Sequence, residues 1–171
     1  MWLRFTGSLR KVILYAQQEA AKAGENSVST EHLLLGLLRE DSNATLALKE
    51  IGCNTRAIRT ETERHLARGS GRLGSEMQLA PRAKRVIDLS YDECKRLGAS
   101  MVDTEHLLLA LIREGEGLAG QALAKCGADL EQARKAVKSL TPFDIVWSPP
   151  QMFPSDESVW PPPPQIPGGG E

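Results

Sequence analysis

Apolar side chains recur every three or four positions along the first stretch of the chain. Leu9, Val12, Ile13, Ala16, Ala20 and Ala23 fall on one face of a helix. Thr6 stands where an N-cap is needed and Gly24 where a helix ends in a left-handed residue. The same spacing returns 74 residues later as Ala83, Val86, Ile87, Ser90, Cys94 and Leu97, closed by Gly98 and opened by Pro81 in the first turn. Behind each of these helices comes a second, denser apolar run. Val28-Ser-Thr-Glu-His-Leu-Leu-Leu-Gly-Leu-Leu-Arg-Glu40 and Val102-Asp-Thr-Glu-His-Leu-Leu-Leu-Ala-Leu-Ile-Arg-Glu114 are identical at ten of thirteen positions. Duplication over this length fixes the architecture before any single residue is interpreted: the chain holds two copies of one helical unit.

The second helix of each copy is expected to start at Thr30 or Thr104, with the hydroxyl capping free N–H groups and Glu31 or Glu105 where the helix dipole favours an anion. A third helix is predicted over 44–51, ending at Gly52, and its counterpart over 118–126, ending at Gly127. There the offset becomes 75, so one loop residue was gained near 115–117. Fourth helices are predicted over 55–67 and, after the cap Asp129, over 130–140. No run alternates as a strand would. The fold class is therefore all-α, with two tandem four-helix repeats over 1–68 and 80–140 and a Gly/Ser-containing linker over 69–79.

Composition changes abruptly at Thr141. Nine of the ten prolines lie between Pro142 and Pro167, a density that forbids helix and sheet ladders. Residues 141–171 are expected to form a disordered Pro-rich tail, yet they carry Phe143, Trp147, Phe153 and Trp160, aromatics suited to docking in a groove on this chain or a partner.

Charge adds little direction. Charged residues make up 25% of the chain and the net charge is −1, so neither nucleic acid nor an anionic membrane is an expected partner. The apolar runs 33–38 and 107–112 are too short to cross a bilayer, and a helix pattern begins almost at once, so no secretory signal is expected in Met1-Trp-Leu-Arg-Phe-Thr6. Cys53, Cys94 and Cys126 form no C-x-x-C pair and fit a reducing, cytoplasmic setting. His32 and His106 each sit beside a Glu but have no H-x-x-x-H spacing, so a packed or hydrogen-bonded structural role is expected and no metal site. No nucleophile–base set stands out, no cofactor is expected, and the chain is not expected to be an enzyme.

Arg4-Phe-Thr6, Thr30-Glu-His-Leu-Leu-Leu-Gly-Leu37, Pro81-Arg-Ala-Lys-Arg-Val86 and Thr104-Glu-His-Leu-Leu-Leu-Ala-Leu-Ile-Arg-Glu-Gly-Glu-Gly117 closely resemble the Clp repeat domain, the N-terminal domain of ClpC- and ClpA-type AAA+ unfoldases. The resemblance covers roughly residues 1–140. It implies a compact, pseudo-twofold, eight-helix module that engages adaptors and substrates above an ATPase ring. No G-x-x-x-x-G-K-[ST] loop occurs in these residues, so a stand-alone, non-enzymatic module is expected, binding Clp unfoldase or peptidase subunits, adaptors or client proteins.

In some ClpC-type relatives each repeat binds phosphoarginine, pairing a carboxylate with the guanidinium and a helix N-terminus plus a cation with the phosphate. The resemblance implies Glu31 and Glu105 as the carboxylates. Thr6 and Arg10 would serve the phosphate in copy one, and Lys84, with Arg82 beside it, in copy two. Ala80 stands where the family usually has Thr, removing one hydroxyl, and Ser29 and Asp103 replace a common glycine. Asp103 adds a negative charge that disfavours phosphate by roughly a few tenths to 1 kcal/mol. Trp2, Phe5, Met77 and Leu79 occupy matching places ahead of the two first helices and form a candidate apolar groove for partners, the alternative being a core staple.

Overall fold

In a computed structural model, the described residues are 2–66 and 77–141, without the side chain of Trp2. The linker expected over 69–79 falls largely outside them, as does the tail from 142 on. A short 3-10 helix, Trp2–Arg4, leads into α1 (Gly7–Ala23). Then follow the two-residue strand β1 (Ser27–Val28), α2 (Thr30–Arg39), α3 (Asn43–Glu50) and α4 (Thr55–Arg64). The second copy runs β2 (Gln78–Leu79), α5 (Pro81–Arg96), α6 (Thr104–Glu114), α7 (Leu118–Lys125) and α8 (Leu130–Leu140). The eight-helix, two-repeat architecture is thus the one the duplicated pattern predicts.

The predicted stops hold for a steric reason. Gly24, Gly52, Gly98 and Gly127 all have positive φ, which a Cβ would make costly. Thr6 caps α1 by accepting the Leu9 N–H at 3.2 Å, and Asp129 caps α8 through the Gln132 N–H at 3.1 Å. Two starts differ from expectation. The caps of α2 and α6 are Ser29 and Asp103, one residue before the threonines, which already lie inside the helix.

Packing is interleaved between the copies. The first two helices of each copy pack on each other, α1 on α2 and α5 on α6. The third helices cross over: α3 lies against α6 and α8, and α7 against α2 and α4. One apolar core results, with Leu33, Leu34, Leu107, Leu108 and Leu109 fully buried at its centre. Gly36 makes the α1–α2 contact close: a Cβ there would lie 2.5 Å from the Val12 carbonyl oxygen and 2.8 Å from the Ala16 nitrogen. Ala110 occupies the matching place on α6.

Phe5 is 1% exposed and packs its ring 5.6 Å from that of Tyr91. Of the candidate apolar groove, Phe5 is therefore core staple, not partner surface. Met77 and Leu79 are half-buried against the same core. The side chain of Trp2 lies outside the described residues.

Candidate binding notches

The two-residue strands, invisible to any periodicity argument, decide which candidate residues meet. β1 pairs in parallel with β2, Ser27 opposite Gln78 and Val28 opposite Leu79. The Ala80 N–H then donates to the Val28 carbonyl at 2.9 Å. On the opposite side, Phe5 bridges to Val102, and the Thr6 N–H donates to the Val102 carbonyl at 3.0 Å. The two bonds are pseudo-equivalent. Both join the start of one copy's first helix to the start of the other copy's second helix.

This corrects the expected grouping. Thr6, with Arg10 one turn on along α1, faces Asp103, Thr104 and Glu105 of the second copy, not Glu31. Ala80, with Lys84 one turn on along α5, meets Val28 and the start of α2, where Glu31 sits. Each notch is composite. We call them the Glu105 notch and the Glu31 notch.

In the Glu105 notch the Thr6 hydroxyl donates to Asp103 Oδ1 at 2.7 Å, and the same oxygen accepts the Thr104 N–H at 2.7 Å. The Thr104 hydroxyl reaches Glu105 Oε2 at 3.3 Å. Glu105 is 4% exposed. Burial, reinforced by the Asp103 charge, pushes its carboxyl above the usual range, against weaker pulls from the backbone, Thr104 and Asn43. Arg10 and Lys84 are both exposed at the rims.

The Glu31 notch is built differently. Glu31 is half-buried and accepts from the Thr30 hydroxyl at 3.2 Å. Gly117, the cap of α7, lies so close that a Cβ on it would meet Thr30 Oγ1 at 2.5 Å. Glu114 stands beside it, accepting the Gly117 N–H at 2.8 Å and an Arg82 N–H at 2.8 Å. Arg82 also binds Glu116 at 2.6 Å. Arg82 is thus committed to two carboxylates of its own copy, and Lys84 is exposed at this rim. Nothing in the sequence pattern announced Glu114, whose role follows from the tertiary approach of α5 to the α6–α7 turn.

Both histidines are structural. His32 Nδ1 accepts the Ser29 N–H at 3.1 Å and His106 Nδ1 accepts the Asp103 N–H at 2.9 Å. Each fills the third helical position, where a capping box more often has Glu or Gln. Burial lowers the pKa of both, that of His106 to about 4, with Asp103 and Glu93 opposing. Both rings are held neutral, with the proton on Nε2. Among the described residues no group of three or more His, Cys, Asp or Glu side chains is placed to share a metal ion. No helix among them is long and apolar enough to cross a membrane.

The comparisons agree with this fold. A family model for the Clp repeat (R) N-terminal domain matches residues 4–121 and 98–144. An ATP-dependent Clp protease ATP-binding subunit ClpA homolog from Guillardia theta is 46% identical over 138 residues, 80% of this chain and 17% of that protein. The negative regulator of genetic competence ClpC/MecB of Bacillus subtilis (strain 168) is 45% identical over 141 residues, 82% of this chain and 17% of that protein. The chain therefore spans about a sixth of the length of these relatives. Among solved structures, the N-terminal domain of the chaperone ClpD from Arabidopsis thaliana superposes with TM-score 0.63 at 23% identity, covering 82% of this chain and 99% of that one. The Hsp104 N-terminal domain from Candida albicans does so with TM-score 0.67 at 17% identity, covering 80% and 90%. At these identities the structural likeness is one of fold.

Proposed function

We propose, from the premise that the chain belongs to the Clp repeat N-terminal domain family, that it serves ATP-dependent Clp proteolysis as an accessory or a competitor. Membership itself carries a protein-interaction role. The finer reading is that the module binds clients, adaptors or Clp subunits through its two composite notches. The observation that supports it is the swapped pairing: each notch sets a carboxylate at one copy's second helix against a first helix of the other copy that carries a rim cation in its first turn. Such a surface offers charges of both signs at the starts of two facing helices, as recognition of a polar peptide segment needs.

A pull-down from native lysate, wild type against Glu31→Ala/Glu105→Ala, tests this. Retention of Clp unfoldase, peptidase or adaptor subunits by wild type, lost in the double variant, is the expected result. Absence of all Clp components from the wild-type eluate overturns it. A reconstituted degradation assay separates the two roles: an accessory speeds client loss, whereas a competitor slows it.

A second reading, a receptor for phosphoarginine-marked proteins, is favoured by the Glu105 notch. Thr6, one turn before Arg10, meets Asp103 there, two residues before Glu105 and about a hundred residues away in sequence. Titration with phosphoarginine should shift amide resonances at Thr6 and Glu105, and at Glu31 if both notches work. Saturating ligand without shifts at any of these positions ends this reading.

A further inference from the structure

The third helix of the first copy exposes a leucine where its counterpart has a glutamine. Leu46 on α3 is 48% exposed, and Gln121 holds the matching turn of α7. Beside Leu46, a shallow groove runs between α3 and α8, lined by Glu50, Ile51, Gln132, Lys135 and Ala136. Leu46 lies one turn before Glu50 on the same face of α3. The pseudo-equivalent junction of α7 with α4 is closed by polar contact, Lys125 Nζ to Glu61 Oε1 at 2.6 Å. Among the described residues, the first copy's side is the one with an exposed leucine in this place.

The chain itself leads there. Ser139, in the last turn of α8, donates to Glu50 at 3.0 Å, and Thr141 leaves the helix in an extended conformation. Pro142 cannot continue the helix. Phe143 follows two residues after Thr141, a reach of about 7 Å for extended chain. The step from Glu50 back to Leu46 is one turn, about 6 Å along α3.

Charge points the same way. Residues 142–171 contain Asp144, Asp156, Glu157 and Glu171 and no Lys or Arg. Lys49, Lys135 and Lys138 are exposed around the groove and make no ion pair among the described residues. We infer that residues 142–147 dock along the α3–α8 groove of their own chain, with Phe143 covering Leu46 and Asp144 set among these lysines. The groove is then an intramolecular seat for the start of the Pro-rich segment. It is independent of the two notches, whose reading stands or falls separately.

Leucine-methyl NMR on the full chain tests this. The Leu46 methyls should show cross-peaks to the ring protons of Phe143 or Trp147, and Phe143→Ala/Trp147→Ala should move the Leu46 resonances. Leu14, 37% exposed on α1, should stay where it is. Buried Leu34 and Leu108 report that the variant is folded. Conversely, Leu46→Gln should speed chymotryptic cleavage after Phe143 severalfold, whereas Gln121→Leu should leave it unchanged. Leu46 resonances indifferent to the double substitution, or unchanged cleavage in Leu46→Gln, overturn the inference. So do Leu46 contacts that fade on dilution, which would give the groove to a second copy of the chain.

Discussion

The two repeats share a fold but hold their buried charges differently. In the first, Glu19 is met by Arg39 and Lys22, each at 3.0 Å, and pins α1 to α2. In the second, the equivalent Glu93 is wholly buried and gathers Arg134 at 2.7 Å, Arg113 at 3.2 Å and Arg96 at 3.9 Å, tying α5, α6 and α8 together. Burial alone would push the Glu93 carboxyl up, but the Arg134 hydrogen bonds and the three guanidinium charges win and hold it below the usual carboxylate range. The first copy makes its close helix contact with Gly36, and the second spares room for Ala110. The clamp pair itself is kept in both copies, Glu19 with Arg39 and Glu93 with Arg113, while the further partners of the carboxylate and the charges around the notches differ.

That contrast can be broken at its strongest point first. Glu93→Ala leaves three arginines around an uncompensated, buried place and should cost about 3–5 kcal/mol in urea unfolding. Glu19→Ala, with its partners partly solvated, should cost about 1 kcal/mol. Equal losses would remove the asymmetry. Because the Glu93 pKa is depressed, its contribution is present above the unfolded carboxylate range and is lost as pH falls through the lower, folded value.

Next in size is the acid sensitivity of the second cap. His106 titrates at about 4 when folded, against about 6.5 unfolded, so the unfolded chain binds the proton first. Its contribution is full above pH ~6.5 and falls away by about 3 kcal/mol as pH drops toward ~4. His106→Gln, which keeps an acceptor at the third helical position, should flatten that part of the stability–pH curve. A curve unchanged by the substitution would show that His106 takes up its proton in the fold as it does in the unfolded chain.

Gly36→Ala should cost about 1–3 kcal/mol, since the new Cβ meets backbone atoms that cannot swing away. Ala110→Gly should cost only about 1 kcal/mol, the helix-propensity difference. Smallest is the charge at the Glu105 notch. Asp103→Ser, copying Ser29, should tighten phosphoarginine binding at that notch by up to about fivefold, with helix stability changed by less than about 1 kcal/mol. Calorimetric titration of both proteins reads the difference.

The helices were legible because each has a local cause: the stripe from Leu9 to Ala20, the cap at Thr6, the left-handed glycines. The position of the caps at Ser29 and Asp103 was not, because Thr, Ser and Asp all cap well and neighbouring residues compete for the role. The histidines' part in the caps was legible only as a structural role. Least legible was which first helix faces which second helix. Two-residue strands carry no period, and the bonds from Thr6 to Val102 and from Ala80 to Val28 join residues 96 and 52 positions apart. Glu31 and Glu105 were found from their local motif, whereas their partners were assigned to the wrong copy because adjacency in sequence is not adjacency across a pseudo-twofold axis. For Phe5 the choice between partner groove and core staple stayed open for the same reason, since Tyr91, which covers it, comes from the other copy.

The exchanged edges have a genealogical consequence. A single ancestral repeat could not have formed either notch alone, since each requires a first helix from one copy and a second helix from another. Two such polypeptides meeting as an isologous homodimer would have made both notches at once, in identical form. The present chain has the geometry of that dimer fused end to end, and fusion is what freed the two notches to become unlike. Expressed as separate polypeptides, the halves should therefore seek each other out, and a pair of first halves, lacking the Ala80 and Asp103 side of the junction, should make two notches of one kind.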